Sequence, residues 1–289
     1  MYRLRLTHYL MIAPVQLMLI GVIFIPALYL IWLSLTDYTY GVDPNFVGLD
    51  NYIFIFTDPV FWRSVVNTLI VVNAVVFGEL VIGLGLAVLM AGWVPGKRIV
   101  ISMLLMPYAI TEVTAVVMWR FMLEPDVGMI QWALTNIGMS EISWAINRWD
   151  ALFVISLLSI WLSLPFTFLI LYSAVTTVPK DLSEAAVVDG ANRFQNFLYV
   201  TLPTITPAIL VALMFRYIFA LRLFSEVWLL TEGGPARLTE VLAVYLYRHG
   251  FRYQEFGVAA AAGWILTILS LITASYYLYQ LYKRMFRDA

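Results

Sequence analysis

The sequence predicts an all-α membrane protein with six transmembrane helices. Three observations carry that reading. The 289 residues are 62% hydrophobic and only 12% charged, whereas soluble domains are roughly half apolar and one-quarter charged. Six stretches are apolar over about the 20 residues that a helix needs to cross a bilayer. Lys and Arg are unevenly shared between the segments that join those stretches.

The candidate spans, in order, are 9–35, 64–91, 99–123, 151–175, 204–230 and 258–282. The first follows Arg3 and Arg5 and has no charged residue between His8 and Asp37. Its apolar run is far longer than the ~7–15 residues of a cleavable signal, so it reads as an uncleaved anchor. The segment 36–63 carries Gly41, Pro44, Gly48 and Pro59 and reads as turns. The segment 124–150 includes a short amphipathic helix near 129–137. Thr231-Glu232-Gly233-Gly234-Pro235 opens the segment 231–257 as a strong turn.

An N-terminus in the cytoplasm puts Arg3, Arg5, Lys97, Arg98, Lys180, Arg193, Lys283, Arg284 and Arg287 inside. Arg63, Arg148, Arg237, Arg248 and Arg252 then fall outside. Nine against five favours both termini inside. Tyr38, Tyr40, Trp62, Trp144, Trp149 and Trp161 lie close to span ends, where they serve either as interfacial aromatics or simply as packing.

Composition also excludes chemistry. With no cysteine there are no disulfides, thiolate zinc sites or cysteine nucleophiles, and His8 and His249 are too far apart in sequence to suggest a histidine cluster. Net charge is −1 and no basic run suggests nucleic-acid binding. Gly92-Trp93-Val94-Pro95-Gly96-Lys97-Arg98 is one residue short of a phosphate-binding loop and has Arg98 where Ser or Thr would hold magnesium. It reads as a turn with basic anchors. No nucleophile–base pair suggests an enzyme.

The segment 176–203 is a polar interruption that this orientation places in the cytoplasm. Asp181 is the expected N-cap of a first short helix, with Glu184 at capping-box spacing. Gly190 supplies the stop. Asn192 caps a second helix that runs toward Leu202, and Pro203 marks its end. Ala185 and Ala186 leave room for close approach, and Phe194, Phe197, Leu198 and Val200 supply apolar surface. Such a helix–turn–helix either docks a partner or merely packs on the bundle.

Six ionisable residues fall inside predicted spans: Glu79, Glu112, Arg120, Arg216, Arg222 and Glu226. A charge at the bilayer centre costs about 2.5–3.5 kcal/mol even on the lenient insertion scale, so these face the protein interior. They either line a polar path or join helices by ion pairing, with Glu79 and Arg216 the first candidates. Arg222 and Glu226 are four apart and share a helix face on which to pair. Asn67, Asn73 and Thr111 are weaker candidates. Three acids balance three arginines, which suits an uncharged solute better than an anion. Prolines 14, 26, 107, 165 and 207 are positioned to kink or break spans.

The segment 184–203 resembles the EAA loop of binding-protein-dependent ABC importer permeases. It matches at Glu184, Ala185, Ala186, Gly190, Leu202 and Pro203, with Val200 in place of isoleucine. Asn67-Thr68 and Gly83-Leu84-Gly85-Leu86-Ala87 are similar to parts of the family's transport core. The run 231–261 is similar to the carbohydrate-type, maltose-like branch. There Gly-Gly-Pro precedes a Thr, a Tyr, a Phe and Gly-x-Ala, here Thr239, Tyr245 or Tyr247, Phe251 and Gly257-Val258-Ala259.

The resemblance implies the type I importer fold, with an N-terminal helix and external loop over 1–63 and a five-helix core over 64–289 that contains the 176–203 loop. It implies a bacterial or archaeal cytoplasmic (inner) membrane. It also implies a second homologous permease subunit, a dimeric ATPase that holds ATP and magnesium, and an extracytoplasmic binding protein that delivers a sugar. This chain itself would bind no cofactor. Carried over, Glu184, Ala185, Ala186, Asp189 and Gly190 would face the ATPase, and Leu202 and Pro203 would fix the loop to the fifth span. Glu79, Glu112, Arg216, Arg222 and Glu226 are the candidates for the substrate path. A polyol or glycerol-phosphate-type solute is an alternative cargo. An ion-coupled secondary transporter with Glu79 or Glu112 as proton carrier is the alternative from another class.

Overall fold

A computed structural model describes residues 6–285, all of them in helices or irregular connections apart from two isolated bridges. Arg3, Arg5 and Arg287, counted in the orientation argument, lie outside the described residues.

The helices are α1 Leu6–Leu19, α2 Ile25–Ser34, α3 Asp50–Thr57, α4 Pro59–Ala91, α5 Lys97–Leu105, α6 Glu112–Met122 and α7 Met129–Asn136. Then come α8 Arg148–Thr176, α9 Lys180–Val188, α10 Arg193–Asn196, α11 Leu202–Ala220, α12 Ser225–Thr231, α13 Leu242–Tyr247 and α14 Phe256–Met285. Among the described residues five stretches are long and apolar enough to cross a membrane, and a bent pair makes a sixth if its two helices are counted as one span.

Several sequence expectations need correction. The second span starts at Pro59, not 64, and α3 interrupts the expected turns of 36–63. Asp58 accounts for the early start: its carboxylate accepts from the Val60 N–H at 2.8 Å, and Pro59 fits the first helical position, where no N–H is needed. The third span is not one helix. Lys97–Ala109 and Glu112–Met122 meet at 102°. A 3₁₀ turn carries Pro107, Ile110 and Thr111 are extended, and the Thr111 hydroxyl caps α6 by accepting from the Thr114 N–H at 3.3 Å. The fifth span ends at Ala220 rather than 230, because residues 221–224 break the helix before α12. Asp181 does not cap α9. Pro179 holds that position, so the Asp181–Glu184 capping box is not formed.

Pro203 does not end its helix either. Helical structure runs from Arg193 to Ala220. A π-turn over Phe197–Thr201, in which the Leu202 N–H donates to the Phe197 carbonyl, precedes the proline. The wider turn relieves the clash of the proline ring with the carbonyl four residues back. The first span repeats this device, with a π-turn over Ile20–Phe24 two residues before Pro26. By contrast, α8 and α11 continue through Pro165 and Pro207.

The chain divides into two compact units, residues 1–61 with 245–266 and residues 62–244 with 267–289. In the first, Gly257 is required by close approach. A Cβ there would collide with the Thr36 carbonyl and sit 2.9 Å from the Asn51 amide. Asn51 is buried and donates to the Ser34 and Thr36 carbonyls at 2.9 and 2.8 Å. The Tyr245 hydroxyl donates to the Asp58 carboxylate at 3.0 Å. In the second unit, a core of Val71, Val75, Val116, Leu152, Ile155, Leu158 and Val227 joins α4, α6, α8 and α12.

Candidate functional site

Two features of the larger unit bear on function: a polar cavity among the spans and an exposed helix–turn–helix. The cavity, of about 430 Å³, is lined by six segments. Val75 comes from α4, Tyr108 and Glu112 from the break in the third span, and Ser159, Ser163 and Phe166 from α8. Arg216, Phe219 and Ala220 come from α11, residues 222–224 from the following turn, and Ser225 and Glu226 from α12.

The structure brings Glu112, Arg216, Arg222 and Glu226 together on this wall. Glu112 reaches it because the helix breaks at Ile110 and Thr111. It then occupies the first turn of α6, where the helix dipole favours a carboxylate. Glu226 is buried. Arg222 is exposed and sits in the turn after α11, so it and Glu226 do not share a helix, and no ion pair between them occurs among the described residues.

Glu79 lies behind the wall, fully buried. Arg216 grips it with two bonds, Nε to Oε2 at 2.5 Å and Nη2 to Oε1 at 2.7 Å. The Thr167 hydroxyl donates to Oε2 at 3.0 Å. This geometry satisfies a charge pair that would otherwise be costly inside a span, because bidentate, charge-assisted bonds replace the lost hydration. Arg216 is thus both pair member and cavity wall. Arg120 is elsewhere, with its guanidinium 5.7 Å from the Trp144 ring centroid.

The sequence reading missed Tyr108, Ser159, Ser163, Phe166, Phe219, Phe224 and Ser225 as cavity residues. One signal was available: Ser159, Ser163 and Phe166 fall at i, i+4 and i+7 of α8 and mark one face. Asn67 and Thr68 have a different task. Asn67 is fully buried, and its amide donates to the Leu238 and Glu240 carbonyls at 2.9 and 2.8 Å. Its oxygen accepts from Arg148 Nη2 at 2.8 Å. Thr68 Oγ1 accepts from the Leu242 N–H at 2.9 Å. Together they latch the Gly-Gly-Pro segment onto α4. Within that segment, Thr239 donates to the Gly234 carbonyl at 2.6 Å and Arg237 pairs with the buried Glu240 at 2.7 Å. Asn73 accepts from the Tyr217 hydroxyl at 2.7 Å.

The second feature is α9 with α10. No residue of α9 is buried, although it presents Leu182, Val187 and Val188, the last 87% exposed. Gly190 ends it at φ +86°, a left-handed conformation that suits glycine. The Ala191 N–H donates to the Ala186 carbonyl at 2.9 Å and the Gly190 N–H to Val187 at 3.0 Å, the paired bonds of a Schellman stop. Asn192 and Gln195 then form a reciprocal capping box with both bonds at 2.9 Å. Arg284 Nη2 donates to the Pro203 carbonyl at 3.0 Å and ties α14 to the base of α11.

Residues 51–287 match the family model for the inner-membrane component of binding-protein-dependent transport systems. The chain belongs to that family. It is a multi-pass permease component, not an enzyme, and family membership displaces the ion-coupled secondary transporter. Among its relatives is the trehalose/maltose transport system permease protein MalF of Thermococcus litoralis, 31% identical over 278 residues, covering 96% of this chain and 94% of the relative. The sn-glycerol-3-phosphate transport system permease protein UgpA of Shigella flexneri is 32% identical over 274 residues, covering 94% and 92%. A chain from a bacterial alginate ABC transporter, crystallised with its alginate-bound periplasmic protein, superposes with a TM-score of 0.82. That chain is 23% identical, with 94% of this chain and 92% of that one covered, and it supports the fold.

Proposed function

We propose that this permease is one of two homologous pore-forming subunits of an ATP-driven importer for an uncharged carbohydrate in a bacterial or archaeal cytoplasmic membrane. The exposed apolar face of α9 carries the reading, because the helix ends in a completed Schellman stop and no described residue buries Leu182, Val187 or Val188. Glu184, Ala185, Ala186, Asp189 and Gly190 form the surface for an ATPase that holds the ATP and magnesium. Leu202 and Pro203 join that surface to the fifth span. Residues 64–289 act as the transport core, and 1–63 add a helix and an external loop. An extracytoplasmic binding protein delivers the sugar, and ATP-driven closure below moves the spans between inward-facing and outward-facing states.

The cargo is argued from charge. Around the cavity stand Glu79, Glu112 and Glu226 against Arg216 and Arg222, three acids to two bases. One of those bases is already committed to Glu79. An anion such as a glycerol phosphate would find Arg222 as the lining base not committed to Glu79, with Glu112 and Glu226 on the same wall. Neutral hydroxyls suit Ser159, Ser163, Ser225 and the charged groups, and Phe166, Phe219 and Phe224 offer ring faces to a sugar's apolar side.

The test reconstitutes the full complex in proteoliposomes and measures uptake of trehalose, maltose and sn-glycerol 3-phosphate. ATP-dependent uptake of a neutral sugar is expected. Uptake driven by a proton gradient without ATP overturns the mechanism, and preferential uptake of the phosphate ester overturns the cargo.

A further inference from the structure

At the end of the larger unit that carries the 180–203 segment lies a second cavity, of about 600 Å³. It is lined by Thr206 and Leu210 of α11 and by Tyr276, Tyr277, Gln280, Lys283 and Arg284 of α14. It is separate from the cavity described above and shares no residue with it. Its lining is arranged by helical spacing. Tyr276, Gln280 and Lys283, and likewise Tyr277, Gln280 and Arg284, fall on one face of α14, and Thr206 and Leu210 lie one turn apart on the facing helix.

The chemistry of the cavity is cationic and amphipathic. Lys283 has no carboxylate partner among the described residues. Arg284 uses one terminal nitrogen on the Pro203 carbonyl, which leaves other guanidinium donors for a ligand. No Asp or Glu lines the cavity among the described residues. The polar end sits at the C-terminal end of the apolar stretch 256–284, and the tyrosines lie two turns nearer its middle, a spacing that suits interfacial aromatics. Basic pockets between helices at that level match the phosphate of an anionic lipid, with the cations on the phosphate and the ring and leucine surfaces along the acyl chain.

We propose that this cavity holds the phosphate headgroup of an anionic phospholipid. The proposal does not depend on which sugar is carried. A bound phosphate would lie one hydrogen bond from Pro203, the junction between the 184–203 segment and the fifth span, so membrane composition would act on the coupling segment through Arg284.

The test uses the delipidated full chain in neutral detergent. Native mass spectrometry follows retention of phosphatidylglycerol against phosphatidylcholine, with and without millimolar inorganic phosphate. Wild type should retain one phosphatidylglycerol in preference to phosphatidylcholine. Lys283→Gln/Arg284→Gln should lower that preference by roughly thirtyfold, the combined effect of two cations near a membrane surface. Lys97→Gln/Arg98→Gln, which removes a basic pair outside the cavity, should leave it intact. Equal retention of the two lipids overturns the proposal, as does an unchanged preference in the 283/284 variant. Displacement by inorganic phosphate shows that a free anion suffices and overturns the lipid source. Loss of lipid when the ATPase subunit is added, with the ATPase in contact with Lys283, assigns the pocket to a protein partner and overturns it too. None of these readouts involves transport, so failure here is distinguishable from failure of the importer reading.

Discussion

Removing the charge of Glu79 is the sharpest perturbation available. Glu79→Gln preserves volume but strips the anion from a fully buried site and leaves the guanidinium of Arg216, a residue only 7% exposed, without its counter-charge. Breaking a buried pair from one side costs about 3–5 kcal/mol in soluble proteins. Leaving one charge at the centre of a span costs about 2.5–3.5 kcal/mol on the insertion scale. The two ranges meet near 3 kcal/mol, roughly a 150-fold shift in the unfolding equilibrium. Arg216→Gln should cost a similar amount, because Glu79 then keeps only the Thr167 hydroxyl as a donor. The double variant has no orphan charge and should cost much less than the sum, giving a coupling of at least about 2 kcal/mol. Equilibrium unfolding in mixed micelles, followed by tryptophan fluorescence, measures all four proteins. Strictly additive losses, or a Glu79→Gln cost below about 1 kcal/mol, would refute the claim that this pair fixes α4 to α11.

Three further outcomes are expected. Gly190→Val places a β-branched residue at φ +86°, should cost roughly 1–2 kcal/mol locally, and should abolish ATP-driven uptake while the chain remains inserted; normal uptake counts against the coupling role. Asn67→Ala leaves the Leu238 and Glu240 carbonyls without their donor, which should cost about 1–3 kcal/mol per buried group and open 233–240 to protease, read by thermal unfolding and limited proteolysis. The Asn45 backbone N–H, 2.7 Å from Asp37, holds that carboxyl below its usual value, helped by the Asn45 side chain. A depressed folded value means the contact contributes fully above the unfolded carboxyl's range and is lost as pH falls through the folded value. Amide protection over 37–47 should therefore drop in acid, and Asp37→Asn should remove that pH dependence.

The spans were legible because apolar length is a local property that survives without knowledge of neighbours. Their interruptions were not. Pro107 reads equally as a kink or a break, and the choice was made by Thr111, whose hydroxyl starts a new helix at Glu112. Nothing marks the end of α11, since Leu221–Phe224 contains neither Gly nor Pro. Pro203 looked like a stop because a single missing N–H usually is one, and the π-turn that accommodates it leaves no trace in hydropathy. The same limit applies to charge. That Glu79 and Arg216 must be satisfied was readable from the cost of burial, but their mutual pairing across 137 residues is a property of packing. The local structure of the 176–203 segment was read well in its second half, where Asn192 and Gly190 act through their own backbone neighbours. It was misread at its start, where Pro179 took the place expected of Asp181.

The unbroken helical run from Arg193 to Ala220 has the geometry of a lever. Its 28 residues correspond to a rod of roughly 42 Å. Its near end is capped by the Asn192–Gln195 box, and its far end supplies Arg216, Phe219 and Ala220 to the cavity wall. A tilt of about 10° about the capped end would sweep the far end through roughly 7 Å, a distance comparable to the width of a sugar ring. A small rotation of this run is therefore enough to remake the cavity, because no loop interrupts it between Arg193 and Ala220.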